Sequence, residues 1–361
     1  METVHRHVSD LQYSIASMDD LFNPLLTPIS FLMTFRLGRA AVRFWDARQA
    51  SGKMVEICRS NMATVSVGLM SPIRLRRKQQ QTQKIMQQPQ KRQPMTDRSE
   101  DGNETNEVEH LKKTDNTHNY AQNDELALSL LCEYTRWLTT FPIAVKHFLR
   151  PQERRGWDKD TYYRKRRYEI GALLSDENAQ HVLMEYEDEK GRPVIGRNED
   201  EGVVRVRDGP LVVLNRMHEL AYDIAYFDHV SGCDKGGNHH IPSPQGQAAF
   251  YQQINEQINI LYGAYGAMER IKGTPLPFVY AIHLRTFLLL YLFLWNMTSV
   301  ANYGWISLPC LFAFNWSLLG IEAAAVECER PFDWNRNHLT LGRFAAVVAK
   351  NAGQAIKEVR W

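Results

Sequence analysis

The feature that most constrains the fold is an almost uncharged apolar run from residue 276 to residue 301, in which Arg285 carries the only full charge. A helix rises about 1.5 Å per residue, so this run is long enough to cross a hydrocarbon core about 30 Å thick. After a short break at residues 302–304, a second run at 305–321 stays uncharged until Glu322. The two runs predict a hairpin of membrane-spanning helices.

The alternative interpretation of these runs is a pair of buried core helices in a large water-soluble domain. Two adjacent apolar runs of this length exceed the usual size of a core helix. In addition, Trp295, Tyr303 and Trp305 cluster around the turn, and aromatic residues favour the membrane interface. We therefore expect an integral, multi-pass membrane protein.

The charge balance and the cysteine pattern narrow the possible functions. The 43 Lys and Arg residues against 41 Asp and Glu residues leave a net charge of +2, so the chain has no strong overall field for attracting nucleic acid. The five cysteines form no CxxC pair, unlike those of a disulfide-stapled secreted domain. Residues 1–20 lack the apolar core of a signal peptide. From the charge balance we expect no nucleic-acid partner. The sequence also lacks a phosphate loop, a dinucleotide fingerprint and a nucleophile elbow, so we do not expect an enzyme.

Outside the hairpin, the spacing of apolar residues predicts helices and hence an all-α protein. The segment 21–35 is too short to cross a membrane, and Pro24 and Pro28 predict a broken or re-entrant element there. Residues 71–123 are Gln-rich and basic, then acidic, and this composition predicts disorder. The five predicted regions are a membrane segment with its cytosolic extension (1–70), a disordered insertion (71–123), a helical membrane and cytosolic region (124–271), the transmembrane hairpin (272–326) and a C-terminal cytosolic tail (327–361).

Two groups of polar residues are candidates for metal or acid/base chemistry. Cys233, His239 and His240 lie in one loop, but adjacent histidines rarely share a tetrahedral metal and no fourth ligand is evident. We interpret this segment as a polar loop and expect no metal. Two pairs of residues could act as acid and base, His218 with Glu219 and Glu322 with Glu327. We interpret them as charges on helix surfaces, and Glu322 as a polar group near the membrane interface whose hydrogen bonds are satisfied.

Short blocks of residues recur in a fixed order along the chain. These blocks are Phe35, Arg36, Arg43, Phe44, Trp45, Asp46 and Arg48; then Arg136-Trp137, Phe141-Pro142 and Lys146-His147; then Glu269-Arg270-Ile271, Thr274-Pro275 and Pro277-Phe278; and finally Gly320-Ile321-Glu322, Glu327 and Pro331-Phe332. Each block alone is weakly specific, but the ordered set resembles the bestrophin family. The overall pattern is closer to the bacterial, fungal and algal branches than to the animal branch.

The resemblance implies a polytopic helical membrane protein with a large cytosolic helical region, assembled as a homopentamer around one central pore. The implied function is a channel for small anions such as chloride, nitrate or bicarbonate. Its expected surroundings are membrane lipids, in a plasma membrane or a plastid thylakoid. A non-conducting membrane subunit or scaffold and a cation-conducting relative stay open as alternatives.

The resemblance also places a pore neck in the region 1–70. In the family, three rings of apolar side chains line the neck. Matching residues 26–36 to that motif puts Thr27, Phe31 and Phe35 at the three ring positions, and their spacing of four residues places them on one helix face. Phenyl edges carry partial positive charge, so inward-pointing rings tolerate a passing anion. Ordinary packing between helices is the alternative for the two phenylalanines. A second, cytosolic aperture is implied at Ala249, or at Phe250 in its place.

Two features depart from the family pattern. Animal bestrophins bind calcium through consecutive acids after the Pro-Phe motif, whereas here Asp333 alone follows Phe332. Since calcium requires six or more oxygen ligands, we expect no calcium site and no cofactor. Family members also carry an apolar helix before the segment that begins here at Leu21. Residues 1–20 cannot form such a helix, so we expect the first span to be missing, through truncation or loss.

Overall fold

The computed structural model describes residues 13, 19–87, 103–150, 159–183, 209–227, 244–334 and 337–360. Within these residues the regular structure is helical and contains no strand, which confirms the predicted all-α class. The described α-helices, in chain order, are α1 (Asp19–Gln87), α2 (Asn103–Leu149), α3 (Lys159–Gly171), α4 (Asp176–Leu183), α5 (Gly209–Ala225), α6 (Pro244–Gly273), α7 (Phe278–Tyr303), α8 (Leu308–Glu329) and α9 (Leu341–Arg360). A 3-10 turn, Gly304–Ser307, joins α7 to α8.

The helices divide into two compact units. The first unit comprises residues 1–51 and 266–340, and the second comprises residues 52–265 and 341–361. Helices α1 and α6 each contribute residues to both units, whereas α7 and α8 belong to the first and α2 to the second.

The first unit is built around the predicted hairpin. Two described stretches are long and apolar enough to cross a membrane, Pro24–Ser71 in α1 and Phe278–Glu329, which contains α7 and α8. The N-terminal part of α1 packs against both hairpin helices through a buried apolar cluster. The fully buried members of this cluster are Ile29, Met33, Leu288, Tyr291, Leu292 and Leu318.

Large apolar side chains also cover the outside of the first unit. At the hairpin turn, Trp305 is 84% exposed and Ile306 is 82% exposed. Gly304, which begins the turn, has a φ of 63°, a left-handed conformation that favours glycine. Other exposed apolar residues of the hairpin are Phe278, Val279, Phe312 and Trp316. Soluble monomers rarely expose so much contiguous apolar surface, so this face is suited to lipid.

The structure corrects the prediction of a broken element at residues 21–35. Helix α1 runs without interruption through Pro24 and Pro28. Each proline removes one backbone donor, but neighbouring helices and local adjustments re-satisfy freed groups in membrane helices. Ile29 and Met33 are only 2% and 3% exposed in the same segment. The burial of this face holds the helix together where local propensity disfavours it.

The insertion that was predicted to be disordered differs from expectation at both ends. Residues 71–87 continue α1, and residues 103–123 begin α2. The first of these stretches is rich in Gln, Lys and Arg, which are good helix formers. Both stretches extend helices that already have a packed part, so neither needs a new nucleus. The middle of the insertion, 88–102, lies outside the described residues.

The second unit has its core along α2, which packs against α5 and α9. Leu131, Leu138 and Phe141 of α2 are fully buried. The hydroxyl of Tyr134 donates a 2.6 Å hydrogen bond to the Asn61 side chain, which ties α2 to α1 inside the apolar core. Helix α2 is continuous through Pro142, although an interior proline removes one backbone donor.

A buried ion cluster of Lys146, His147 and Glu169 joins α2 to α3. Lys146 Nζ contacts Glu169 Oε2, and His147 Nε2 lies 2.9 Å from the same oxygen. Burial lowers the pKa of His147 to about 4, although the hydrogen bond to Glu169 acts in the opposite direction. Burial alone would raise the pKa of Glu169, but the hydrogen bonds from His147 and Lys146 lower it to about 2. A neutral His147 therefore donates to an ionised Glu169 near neutral pH.

Acid should weaken this ion cluster. The pKa of His147 falls on folding from its ordinary 6.5 to about 4, so between these values the unfolded chain binds more protons and stability declines as the pH falls. Glu169 adds a loss between its ordinary 4.5 and about 2. We expect the melting temperature of the purified protein to decrease from about pH 7 to about pH 5, and less steeply in His147→Gln. Equal slopes in the two proteins would contradict this assignment.

Candidate functional site

The three residues predicted for the pore neck lie on one face of α1 in the first unit. In the single chain Phe31 is 69% exposed and Phe35 is 49% exposed, and Thr27 is exposed as well. The two phenyl rings stack, with centroids 6.5 Å apart and an interplanar angle of 18°. The opposite face of the helix holds Ile29 and Met33, which are buried against α7 and α8. The predicted neck face is thus left uncovered by the helices that the structure describes.

Arg39 extends this row of exposed residues by one more turn. Its guanidinium carbon lies 5.7 Å from the centroid of the Phe35 ring, a cation–π contact. Because Arg39 follows Phe35 by four residues, the two share a helix face. The sequence analysis missed this residue, and the same four-residue spacing could have found it. The row therefore passes from a hydroxyl, through two phenyl rings, to a positive charge.

Arg36, next to Phe35, points the other way and is 1% exposed. Its Nη1 lies 2.9 Å from Glu322 Oε2, and its Nη2 lies 3.3 Å from Glu329 Oε1. Nη1 also donates to the backbone carbonyl of Ala281 at 3.3 Å. A charge inside a membrane-spanning region is stable only when it is paired. These contacts to α7 and α8 therefore fix the rotation of α1 about its axis.

Two further arginines complete this network in the first unit. Arg285 Nε donates to Glu322 Oε1 at 3.0 Å, so Glu322 is shared between two cations. Arg43 Nε donates to the Glu329 carbonyl at 3.0 Å, and its two terminal nitrogens donate to the carbonyls of Thr274 and Ile271 at the end of α6. Arg36 and Arg43 belong to the blocks that carry the family resemblance, and their partners lie far away in sequence.

The possible acid/base pairs are not brought together as such. Glu322 is occupied by the two arginines, in agreement with its interpretation as a satisfied polar group. Glu327 instead accepts a hydrogen bond from the Asn337 side chain at 2.7 Å. In the second unit, His218 stacks on a tyrosine ring with centroids 5.7 Å apart, and Glu219 pairs with Arg216 at 2.7 Å. All four side chains therefore make structural contacts, which for Glu322 are buried and for Glu219 are exposed.

The two residues predicted for the cytosolic aperture differ in their surroundings. Ala249 is exposed, whereas Phe250 is partly buried. The Phe250 ring lies so close to Gly68 of α1 that an added Cβ there would come within 2.2 Å of it. Phe250 thus packs against a glycine of its own chain, which only a residue without a side chain permits at this distance. The position of the aperture stays a prediction.

The candidate metal ligands give no site within the described residues. Cys233, His239 and His240 lie outside the described part of the chain. Among the residues that are described, no group of three or more His, Cys, Asp and Glu side chains is arranged to hold a metal ion. Asp333 Oδ1 accepts a 2.7 Å hydrogen bond from the backbone N–H of Trp334. One carboxylate oxygen of Asp333, the single acid after Phe332, is therefore already engaged in a hydrogen bond.

Comparison with known sequences supports a relationship to anion channels. Residues 102–354 match the family described as Bacterial/Fungal Bestrophin protein. A voltage-dependent anion channel-forming protein of Nostoc sp. is 38% identical over 98 residues, which are 27% of this chain and 32% of that protein. Another protein of this description, from Synechocystis sp., is 31% identical over 113 residues, which are 31% of this chain and 36% of that protein. The matched stretches span about a third of these curated relatives.

Comparison with solved structures covers almost the whole chain. A point mutant of a bacterial bestrophin homolog from Klebsiella pneumoniae superposes with a TM-score of 0.60 at 14% identity, covering 99% of this chain and 100% of that one. Another mutant of the same homolog gives a TM-score of 0.58 at 15% identity, covering 98% and 99% of the two chains. This similarity shows a shared fold, and it confirms the predicted bestrophin-like helical membrane architecture.

Loss of the Arg36 charge should destabilise the first unit. In Arg36→Gln, Glu329 loses its ion pair with Arg36, and Glu322 keeps Arg285 as its one cationic partner among the described residues. Removing one member of a buried pair typically costs about 3–5 kcal/mol. We expect a clear drop in the thermal unfolding midpoint of the detergent-solubilised protein. The matched control is Arg48→Gln, because Arg48 is exposed and contacts only the Trp45 ring, at 5.6 Å, among the described contacts. Equal midpoints for the two variants would show that the network does not hold α1.

Proposed function

We propose that this chain, which belongs to the bacterial/fungal bestrophin family, forms a channel that conducts small anions such as chloride, nitrate or bicarbonate across a membrane. The observation that carries the proposal is the exposed row of Phe31, Phe35 and Arg39 on α1. The two cyanobacterial relatives that are described as anion channel-forming proteins support anions, rather than cations, as the conducted ions. In this proposal the protein transports ions and catalyses no reaction.

The proposed assembly is a homopentamer around one central pore. A closed ring of identical copies brings the same exposed face of each copy to one central axis, so the stacked phenyl rings of all copies can line a common pore. The hairpin α7–α8 then faces membrane lipids with its exposed aromatic residues. The chain is multi-pass in this arrangement, and a plasma membrane or a plastid thylakoid is the proposed location.

The chemistry of the neck row suits weakly hydrated anions. Phenyl rings carry partial positive charge at their edges, so an anion that sheds part of its water shell meets a favourable field between them. The apolar constriction also disfavours continuous water and opposes strongly hydrated ions. Arg39, below the rings, raises the local concentration of anions. The hydroxyl of Thr27 keeps the first ring position wetter than a branched aliphatic residue would.

The decisive test is the current through the purified protein in a planar bilayer under a salt gradient. Anion conduction predicts a reversal potential close to the equilibrium potential of the anion. A reversal potential close to that of the cation would instead identify a cation channel. Absence of current from a preparation with verified oligomers would identify a non-conducting subunit, and either result would reject the proposal.

Truncating both phenylalanines of the row should open the neck. In Phe31→Ala/Phe35→Ala, the narrowest apolar stretch widens and its barrier to water disappears. We expect a larger single-channel current and weaker discrimination among anions, with an unchanged melting temperature, because the residues face the pore. The matched control, Phe278→Ala/Phe312→Ala, removes two exposed rings of the hairpin and should leave the current unchanged. A destabilised oligomer with normal current would show that the rings pack between helices.

Calcium should not switch the channel on. Asp333 is the lone acid in the stretch that follows Phe332, and one of its oxygens already accepts from the Trp334 backbone. This stretch cannot supply the roughly six to eight oxygen ligands that calcium takes. We expect equal open probability in calcium-free and micromolar-calcium solutions. A current that rises steeply with calcium would contradict this, and the variant Asp333→Asn would show whether this loop is responsible.

A further inference from the structure

A cavity of about 340 Å³ lies inside the second unit, between α1, α2 and α9. Its volume falls at the lower end of the range of roughly 300–1,000 Å³ that is usual for small-molecule sites. Most of its wall is apolar and comes from all three helices. The apolar wall includes Met62, Val67, Leu138, Val348 and Ala352. A cavity of this kind favours a ligand with an apolar body.

Two polar groups in the cavity wall have no hydrogen-bond partner within the described part of the chain. They are Ser66 Oγ and Asn351 Nδ2, and both atoms are buried. Ser66 as a whole is only 9% exposed. Most buried polar groups in proteins have a partner, because an unmade hydrogen bond in a dry site is unfavourable. A ligand that brings acceptor oxygens into the cavity would satisfy both groups.

Two arginines supply positive charge to the same cavity. Arg59 and Arg74 line it, and both are exposed to solvent. Arg74 Nη2 donates to the backbone carbonyl of Glu358 at 2.9 Å, which orients its guanidinium next to α9. Glu358 lines the cavity as well, and its carboxylate accepts from the Gln354 side-chain amide at 3.4 Å, so two positive charges face one negative charge in the wall. Guanidinium groups bind carboxylates through paired hydrogen bonds, so the polar part of the cavity is suited to an organic anion.

We propose that this cavity binds a small organic carboxylate with an apolar body. Its carboxylate pairs with Arg59 and Arg74, a further oxygen accepts from both Ser66 and Asn351, and its apolar part fills the space beside Leu138. The site is separate from the pore row and does not depend on the chain's being a channel. Since α1 and α9 both line the cavity, an occupant adds contacts between them and stabilises the attachment of α9.

The test uses 4-oxo-4-phenylbutanoate as the probe, with the full-length protein in phosphatidylcholine nanodiscs. The probe has a carboxylate, a keto oxygen and a phenyl body, and its methyl ester is the uncharged control. Saturation-transfer NMR should show saturable binding of the acid, and the melting temperature should rise with its concentration. The ester should bind about tenfold more weakly, since it lacks the charge. Displacement by added oleate, a membrane-borne carboxylate, would assign the natural carboxylate to the lipid phase, and failure of oleate to displace the saturably bound probe would assign it to the water phase.

Variants of the cavity wall separate this site from general binding. Arg59→Gln and Arg74→Gln should each weaken binding by about tenfold. Arg343→Gln, also an exposed arginine but one of α9 outside the cavity wall, should not. Ala355→Phe should fill the cavity and abolish binding. Asn351→Leu replaces the buried amide by an apolar group of similar size, so it should keep or raise the melting temperature without the probe and lose most of the shift with it.

Three results would overturn the proposal. The first is the absence of saturable binding at probe concentrations up to roughly 10 mM, because a built site binds more tightly than that. This result is expected if another copy of the chain fills the cavity in the assembly. The second is binding that Arg59→Gln and Arg74→Gln leave unchanged. The third is an Asn351→Leu protein that keeps the full probe-induced shift, and this result decides the matter even if Ala355→Phe fails to fold.

Discussion

The first unit depends on one buried charge, the guanidinium of Arg36. A cation this deeply buried would be strongly unfavourable alone, and two carboxylates of α8 and a carbonyl of α7 compensate it. Because these partners lie on other helices, pairing the charge also sets the angle at which α1 packs. The orientation of Phe35 follows, since it is the next residue along the same helix. The exposure of the phenyl row is therefore a consequence of the burial of the Arg36 guanidinium between α7 and α8.

Both units contain an ion cluster with buried members, and in each cluster carboxylates are paired with basic side chains. In the first unit, Arg36 and Arg285 meet Glu322 and Glu329. In the second, Glu169 meets the charged Lys146 and a histidine that stays uncharged because burial lowers its pKa. A partner of opposite charge offsets part of the hydration free energy that an ion loses on burial. The members of each cluster are then held by directional hydrogen bonds, which specify helix packing more sharply than apolar contacts do.

The sequence predicts some features of this structure well and others poorly, for physical reasons. The hairpin could be predicted because a membrane helix needs a long uncharged run, which is a local property. The break at Pro24 and Pro28 was predicted wrongly, since the burial of Ile29 against α7 and α8 overrides the local effect of proline. Helical spacing also predicted that Phe31 and Phe35 share one face of α1, whereas their role in a pore neck stays a prediction. The partners of Arg36 could not be predicted, because they lie 245 to 293 positions away and no local pattern encodes them.

The hairpin turn and the Arg285–Glu322 pair together mark the two ends of the apolar part of α7. From Arg285 to Tyr303 the helix is about 27 Å long at about 1.5 Å per residue, close to the roughly 30 Å of a typical hydrocarbon core. The charged pair and the exposed Trp305 therefore fit at opposite boundaries of one bilayer with little tilt. In a bilayer with longer acyl chains, one of them would be drawn below the headgroups or the lipids would thin locally. A change in acyl-chain length would therefore strain the ion pairs that Glu322 forms with Arg285 and Arg36.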